Sequence, residues 1–114
     1  MFRDTNIPKS ILIKSSNSDQ INMTDLIHLI KNSDCVIMYS PWCGYSKNAL
    51  KLLNDKHISH KSVDFDKINA SMIEIRSQLS KDKSLKFPES YSTRPMIFMK
   101  GKFIGGYTDL KNIL

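Results

Sequence analysis

Cysteine is scarce in this chain of 114 residues: Cys35 and Cys43 are the only two. That is too few for a disulfide framework, and free thiols suit a reducing compartment. Long apolar runs are missing as well. No stretch approaches the ~20 residues that a membrane-spanning helix requires, so no membrane partner is expected. Runs of five or more like charges are also absent. The net charge is +6, from 17 Lys and Arg against 11 Asp and Glu, but the lysines are scattered and often stand beside acids, as in Lys81-Asp82-Lys83. Such scatter reads as a solvated basic face rather than a nucleic-acid surface. The opening residues, Met1-Phe2-Arg3-Asp4-Thr5, lack the apolar core of a secretory signal and the Arg-rich, acid-free face of a transit peptide. The expected location is the cytoplasm.

One absence is local. Between 36 and 54 there is no Asp or Glu, and the charges there are Lys47 and Lys51. Cys43 lies in this cationic span. The apolar, β-branched run Cys35-Val36-Ile37-Met38 before it reads as a buried strand. Ala49, Leu50, Leu52 and Leu53 after it, interleaved with lysines, read as an amphipathic helix. A cysteine at the joint of strand and helix faces the unpaired N–H groups and positive dipole end of the helix. There a thiol ionises more easily, and the thiolate is the reactive form. The spacing Cys43-Gly44-Tyr45-Ser46 is that of a Cys-x-x-Cys redox site with serine in the second position. The plain alternative is a buried structural cysteine beside a turn.

The length suits one compact domain, and a 40% apolar share is ample for one core. Residues 1–18 read as an N-terminal extension, with Ile11-Leu12-Ile13 either a short strand or an apolar clip. The domain is expected over 19–114. A helix is expected over 19–32, with Met23, Leu26, Ile27 and Ile30 on one face. The alternation over 60–66 predicts a strand with Val63 and Phe65 inward. A third helix is expected over 68–80, with Ile68, Met72, Ile75 and Leu79 on one face, and a long polar loop over 81–92, read as a solvated loop with the frame of a binding site as the alternative. Pro95 heads an apolar strand, Lys100-Gly101 is a hairpin turn, and Phe103-Ile104 is the return strand. Gly105-Gly106 is a sharp turn, and Thr108 would cap a final short helix. His57 and His60 stand three apart with no third ligand nearby in sequence, so no metal site is expected. The order helix, strand, helix, strand, helix, hairpin, helix contains a right-handed βαβ unit followed by an antiparallel pair. It predicts an α/β fold: a mixed four-stranded sheet flanked by helices on both faces.

Three separated segments, Trp42-Cys43-Gly44-Tyr45-Ser46, Thr93-Arg94-Pro95 and Gly105-Gly106-Tyr107-Thr108-Asp109, resemble those of a glutaredoxin, of the thioredoxin-like fold. The resemblance implies a glutathione-dependent thiol–disulfide oxidoreductase serving electron transport and cell redox homeostasis. It implies Cys43 as the catalytic thiol, with Ser46 hydrogen-bonded to it. It also implies a cis proline at Pro95 that turns the Arg94 backbone toward an extended ligand, glutathione. Gly106, Tyr107 and Thr108 would then meet the γ-glutamyl carboxylate, Asp109 the γ-glutamyl ammonium, and Tyr45 would pack beside the tripeptide. The expected partners are glutathione and glutathionylated proteins or small disulfides, with the protein a monomer.

Two departures stand out. The family usually has Lys where this chain has Ser40, and Val where it has Arg94, so Arg94 is expected to supply the missing charge. Ser46 replaces the second cysteine, which implies a monothiol cycle. The alternative is a [2Fe–2S] protein, with Cys43 as ligand in a dimer and glutathione completing the set. Gly44 and Ser46 resemble that Cys-Gly-Phe-Ser type, although Tyr45 replaces Phe and the insertion before its motif is absent.

Overall fold

The computed structural model describes residues 20–114. The expectations for residues 1–18 and for Asp19 lie outside these.

The chain runs α1 (Met23–Asn32), β1 (Cys35–Tyr39), α2 (Gly44–Asp55), β2 (Lys61–Asp64), α3 (Met72–Lys81), β3 (Met96–Met99), β4 (Lys102–Gly105) and α4 (Tyr107–Ile113). The order of elements is the expected one. The sheet order is β2-β1-β3-β4, with β1 parallel to β2 and antiparallel to β3, and β3 antiparallel to β4. The parallel pair is joined by α2, which makes the βαβ unit. The tight β3–β4 turn uses positive φ at both Lys100 (53°) and Gly101 (77°), as a two-residue hairpin with primed geometry requires.

Side chains along a strand alternate between faces, and the sheet sorts its core accordingly. Val36, Met38, Met96 and Phe98 pack with Leu26 and Ile30 of α1 and with Ile75 and Leu79 of α3. Cys35, Ile37 and Ile97 pack on the opposite face with Ala49 and Leu53 of α2 and Leu110 of α4. Helices therefore cover both faces.

Three local expectations need correction. The helices expected from 19 and 68 start later, at Met23 and Met72. Ile21 and Ile68 instead form a parallel bridge, with the Ile21 N–H donating to Lys67 O and the Asn69 N–H donating to Ile21 O, each at 2.8 Å. Side-chain caps then start each helix. Asn22 Oδ1 accepts from the Asp25 N–H at 2.8 Å, and Ser71 Oγ from the Glu74 N–H at 3.2 Å. The strand expected to reach 66 ends at Asp64, because Asp64 Oδ1 accepts from the Asp66 N–H at 2.9 Å and starts a 3₁₀ turn, Phe65–Lys67. Val63 and Phe65 are still buried as expected. The 81–92 stretch is not simply polar. It contains a 3₁₀ turn, Lys83–Leu85, and it buries Leu85 and Phe87 in the core.

Candidate active site at the start of α2

Cys43 is the N-cap of α2. Its N–H donates to Ser40 O and its carbonyl accepts from the Lys47 N–H, both at 3.0 Å, so the turn entering the helix is fixed from both sides. Ser46, one turn along, is fully buried. Its hydroxyl oxygen accepts from the Ser40 N–H at 3.2 Å, which leaves the hydroxyl proton to donate elsewhere. Partial burial pushes the Cys43 thiol up, but the Ser46 N–H, the Ser46 hydroxyl, the Tyr45 N–H and the Arg94 charge together outweigh it. The net effect holds Cys43 below the ordinary thiol range. Burial pushes the other thiol, Cys35, upward. It is packed among Ile37, Leu53 and Leu110 and has the surroundings of an inert core cysteine.

The Arg94–Pro95 peptide bond is cis. Pro95 is buried, and the Arg94 carbonyl lies 3.9 Å from Cys43 Sγ, within reach of the thiol as acceptor. The Arg94 guanidinium carbon stands 5.2 Å from the Trp42 ring centroid and 5.1 Å from that of Phe65. Aromatic faces of this kind attract a cation. Its Nε is buried and has no hydrogen-bond partner among the described residues.

A groove of about 250 Å³ opens beside Arg94. It is lined by Tyr45, Tyr91, Thr93, Arg94, Gly106, Tyr107, Thr108 and Asp109. Six residues singled out in the sequence thus meet in one cleft, although three chain segments supply them. Two expectations change in detail. Gly106, not Thr108, is the N-cap of α4, because Asp109 Oδ2 reaches back and accepts from the Gly106 N–H at 3.0 Å. The Gly106 N–H is therefore already committed, and Tyr107 and Thr108 are the remaining backbone donors there. Gly105 has φ +124°, and a Cβ on it would collide with the Asp109 carboxylate. This position requires glycine on both counts. Sequence reasoning missed Tyr91 as a wall of this groove. Thr93 belonged to a recognised motif, but nothing in the local pattern marks Tyr91. His57 and His60 join no cluster of three potential metal ligands among the described residues.

A cysteine capping the helix after the first strand, with a cis proline beside it and a mixed four-stranded sheet beneath, defines a thiol–disulfide site of the thioredoxin-like class. The comparisons narrow this. A family model described as glutaredoxin matches residues 35–104. A probable glutaredoxin of Acanthamoeba polyphaga mimivirus is 31% identical over 96 residues, covering 81% of this chain and 91% of that protein. The mitochondrial glutaredoxin-2 of Mus musculus is 32% identical over 79 residues, covering 68% of this chain and 46% of the mouse protein, so the match spans about half of that relative. Among solved structures, the holo form of glutaredoxin C1 from Populus tremula x tremuloides has the same fold, with a TM-score of 0.62 at 23% identity over 79% of this chain and 82% of that one. A buckwheat glutaredoxin–glutathione complex gives a TM-score of 0.61 at 21% identity over 79% and 76%. The chain belongs to the glutaredoxin family, and the site has the chemistry of a thiol–disulfide oxidoreductase.

Proposed function

We propose that the protein is a monothiol, glutathione-dependent reductase of mixed disulfides. The observation behind this reading is the Cys43 thiol, held low by Ser46, Tyr45 and Arg94 and joined to the groove through the Arg94 carbonyl. In the first step the Cys43 thiolate attacks the glutathionyl sulfur of a mixed disulfide. The S–S bond breaks, the target leaves as a thiolate and takes a proton, and Cys43 is left bonded to glutathione. In the second step the thiolate of another glutathione attacks that glutathionyl sulfur. Oxidised glutathione leaves, and Cys43 returns as the thiolate. Both steps are thiolate exchange, governed by thiolate fraction and by leaving-group pKa. The groove contributes by holding the tripeptide so that its sulfur lies in line with the attacking one.

Within this reading the Ser46 hydroxyl donates to Cys43 in both thiolate states. The Arg94 charge meets the glycyl carboxylate. Asp109 keeps one carboxylate oxygen for the γ-glutamyl ammonium. Tyr107 and Thr108 donate to the γ-glutamyl carboxylate. A buckwheat relative of the same fold, solved with glutathione, supports the choice of ligand.

The test is turnover of a glutathionylated peptide with glutathione as reductant. Cys43→Ser abolishes it, and Cys35→Ser leaves it at the wild-type rate. Retained turnover in Cys43→Ser would refute the cycle.

A second reading, a glutathione-ligated [2Fe–2S] protein, draws support from the exposure of Trp42 (67%) and Tyr45 (64%) on either side of Cys43. These rings offer a surface for a second copy. Each copy would contribute the Cys43 thiolate alone, and glutathione would supply the rest. Protein purified without air decides between the readings: a brown, glutathione-dependent absorbance favours the cluster, and a colourless, active protein favours the reductase.

A further inference from the structure

The stretch between α3 and β3 delivers one aromatic side chain to the groove. Tyr91 packs edge-on against Phe103, with centroids 4.7 Å apart and planes at 70°, and against Phe87 at 6.2 Å and 70°. Phe103 belongs to β4, and Phe87 is buried in the core. The main chain is held too. The Tyr91 N–H donates to Pro88 O at 3.0 Å, and Arg76 Nε of α3 donates to Glu89 O at 2.9 Å. The ring therefore has little freedom to swing, and its hydroxyl is fixed in place.

That place is over Gly106. A Cβ built on Gly106 would stand 2.7 Å from Tyr91 Oη and 3.4 Å from the Pro95 carbonyl. The Gly106 backbone, at φ −107° and ψ −154°, is extended and open to any residue. Glycine is needed here for space, not for conformation: it lets the phenol come down onto the backbone. The donor this brings is useful, because the Gly106 N–H is already taken by Asp109.

We infer that Tyr91 is a specificity-determining residue of the groove, its hydroxyl donating a hydrogen bond to the α-carboxylate of the γ-glutamyl end of the ligand. The inference rests on the glutathione reading above. A neutral donor on a pre-positioned ring meets a carboxylate in a charge-assisted bond, and little ordering cost remains at binding.

Tyr91→Phe keeps the ring and its packing and removes only the donor. The measurement is the KM for glutathione beside the KM for 4-aminobutyryl-cysteinylglycine, the same tripeptide without the α-carboxylate. Tyr91→Phe raises the glutathione KM about tenfold, as loss of one hydrogen bond to a charged group predicts, and kcat moves much less. The KM for the decarboxylated tripeptide is the same in both proteins. The melting temperature and the alkylation midpoint of Cys43 stay at wild-type values, which separates this effect from a structural one. A second variant works by displacement. Gly106→Ala pushes the hydroxyl aside and raises the glutathione KM in the wild-type background, and by less when combined with Tyr91→Phe. An unmoved glutathione KM in Tyr91→Phe overturns the assignment, and so does an equal loss with the decarboxylated tripeptide. Wild-type protein that does not turn over glutathione overturns the assignment and the underlying reading together.

Discussion

Ser46 stands where a second cysteine would complete the redox motif. Its oxygen accepts from the Ser40 N–H, which leaves its own proton free, and the hydroxyl is one of the groups that lower the Cys43 pKa. Ser40 is itself buried, and it contributes here through its backbone rather than through a charge. The sign of the pH effect follows. The folded-state pKa of Cys43 lies below the ordinary thiol value. The thiolate therefore forms at lower pH than in a free cysteine, and its stabilisation is lost as pH falls through that lowered value. Ser46→Ala removes one donor. The midpoint of the pH profile for Cys43 alkylation by iodoacetamide then moves upward, and the rate at pH below it drops. A midpoint that stays in place would show that the hydroxyl does not reach the sulfur.

Among the elements, the starts of α1 and α3 are set by single side chains. Ser71 Oγ accepts from the Glu74 N–H, and it holds the first turn of α3 against a chain that has just left the Ile21–Ile68 bridge. Ser71→Ala therefore lowers stability by about 1 kcal/mol, the usual worth of such a cap, read from urea denaturation at an unchanged m-value. Ser71→Asp, which can also cap, recovers most of it. The existence of each helix and strand was readable from periodicity together with turn and cap signals, but their ends were not. The pattern over 68–80 is helical by spacing, yet Ile68 is held by a residue 47 positions earlier in the chain. No local window contains that contact. The same holds for the 81–92 loop. Its polar composition hides Leu85 and Phe87, which are drawn into the core by Phe98 and Phe103.

Across the whole molecule the sheet is the common support. Phe98, 1% exposed, lies on the central part of β3 and touches both the stacked Phe87 ring at 6.1 Å and the tilted Phe103 ring at 5.3 Å. Those two rings in turn hold Tyr91. Phe98→Ala leaves a cavity under this set and costs about 3–5 kcal/mol. The loss is measurable by chemical denaturation. Because the damage passes through Phe103 to the groove, the glutathione KM rises as well, whereas the Cys43 alkylation midpoint, set mainly by Ser46 and Tyr45 of α2, moves less. Equal shifts in both would mean that the two halves of the site are not separately supported.

The chain by itself determined the chemistry and the class of fold. A cysteine between a β-branched run and an amphipathic one meets helix N–H groups whatever surrounds it, and alternation and helical spacing are local properties. Only the tertiary structure decided which groups share the groove. It brought Tyr91 over Gly106, committed the Gly106 N–H to Asp109 and laid Arg94 between Trp42 and Phe65. The first and last of these join residues far apart in sequence. The second depends on how the chain turns at Gly105. Packing and backbone geometry settle such choices, and a one-dimensional pattern does not contain them.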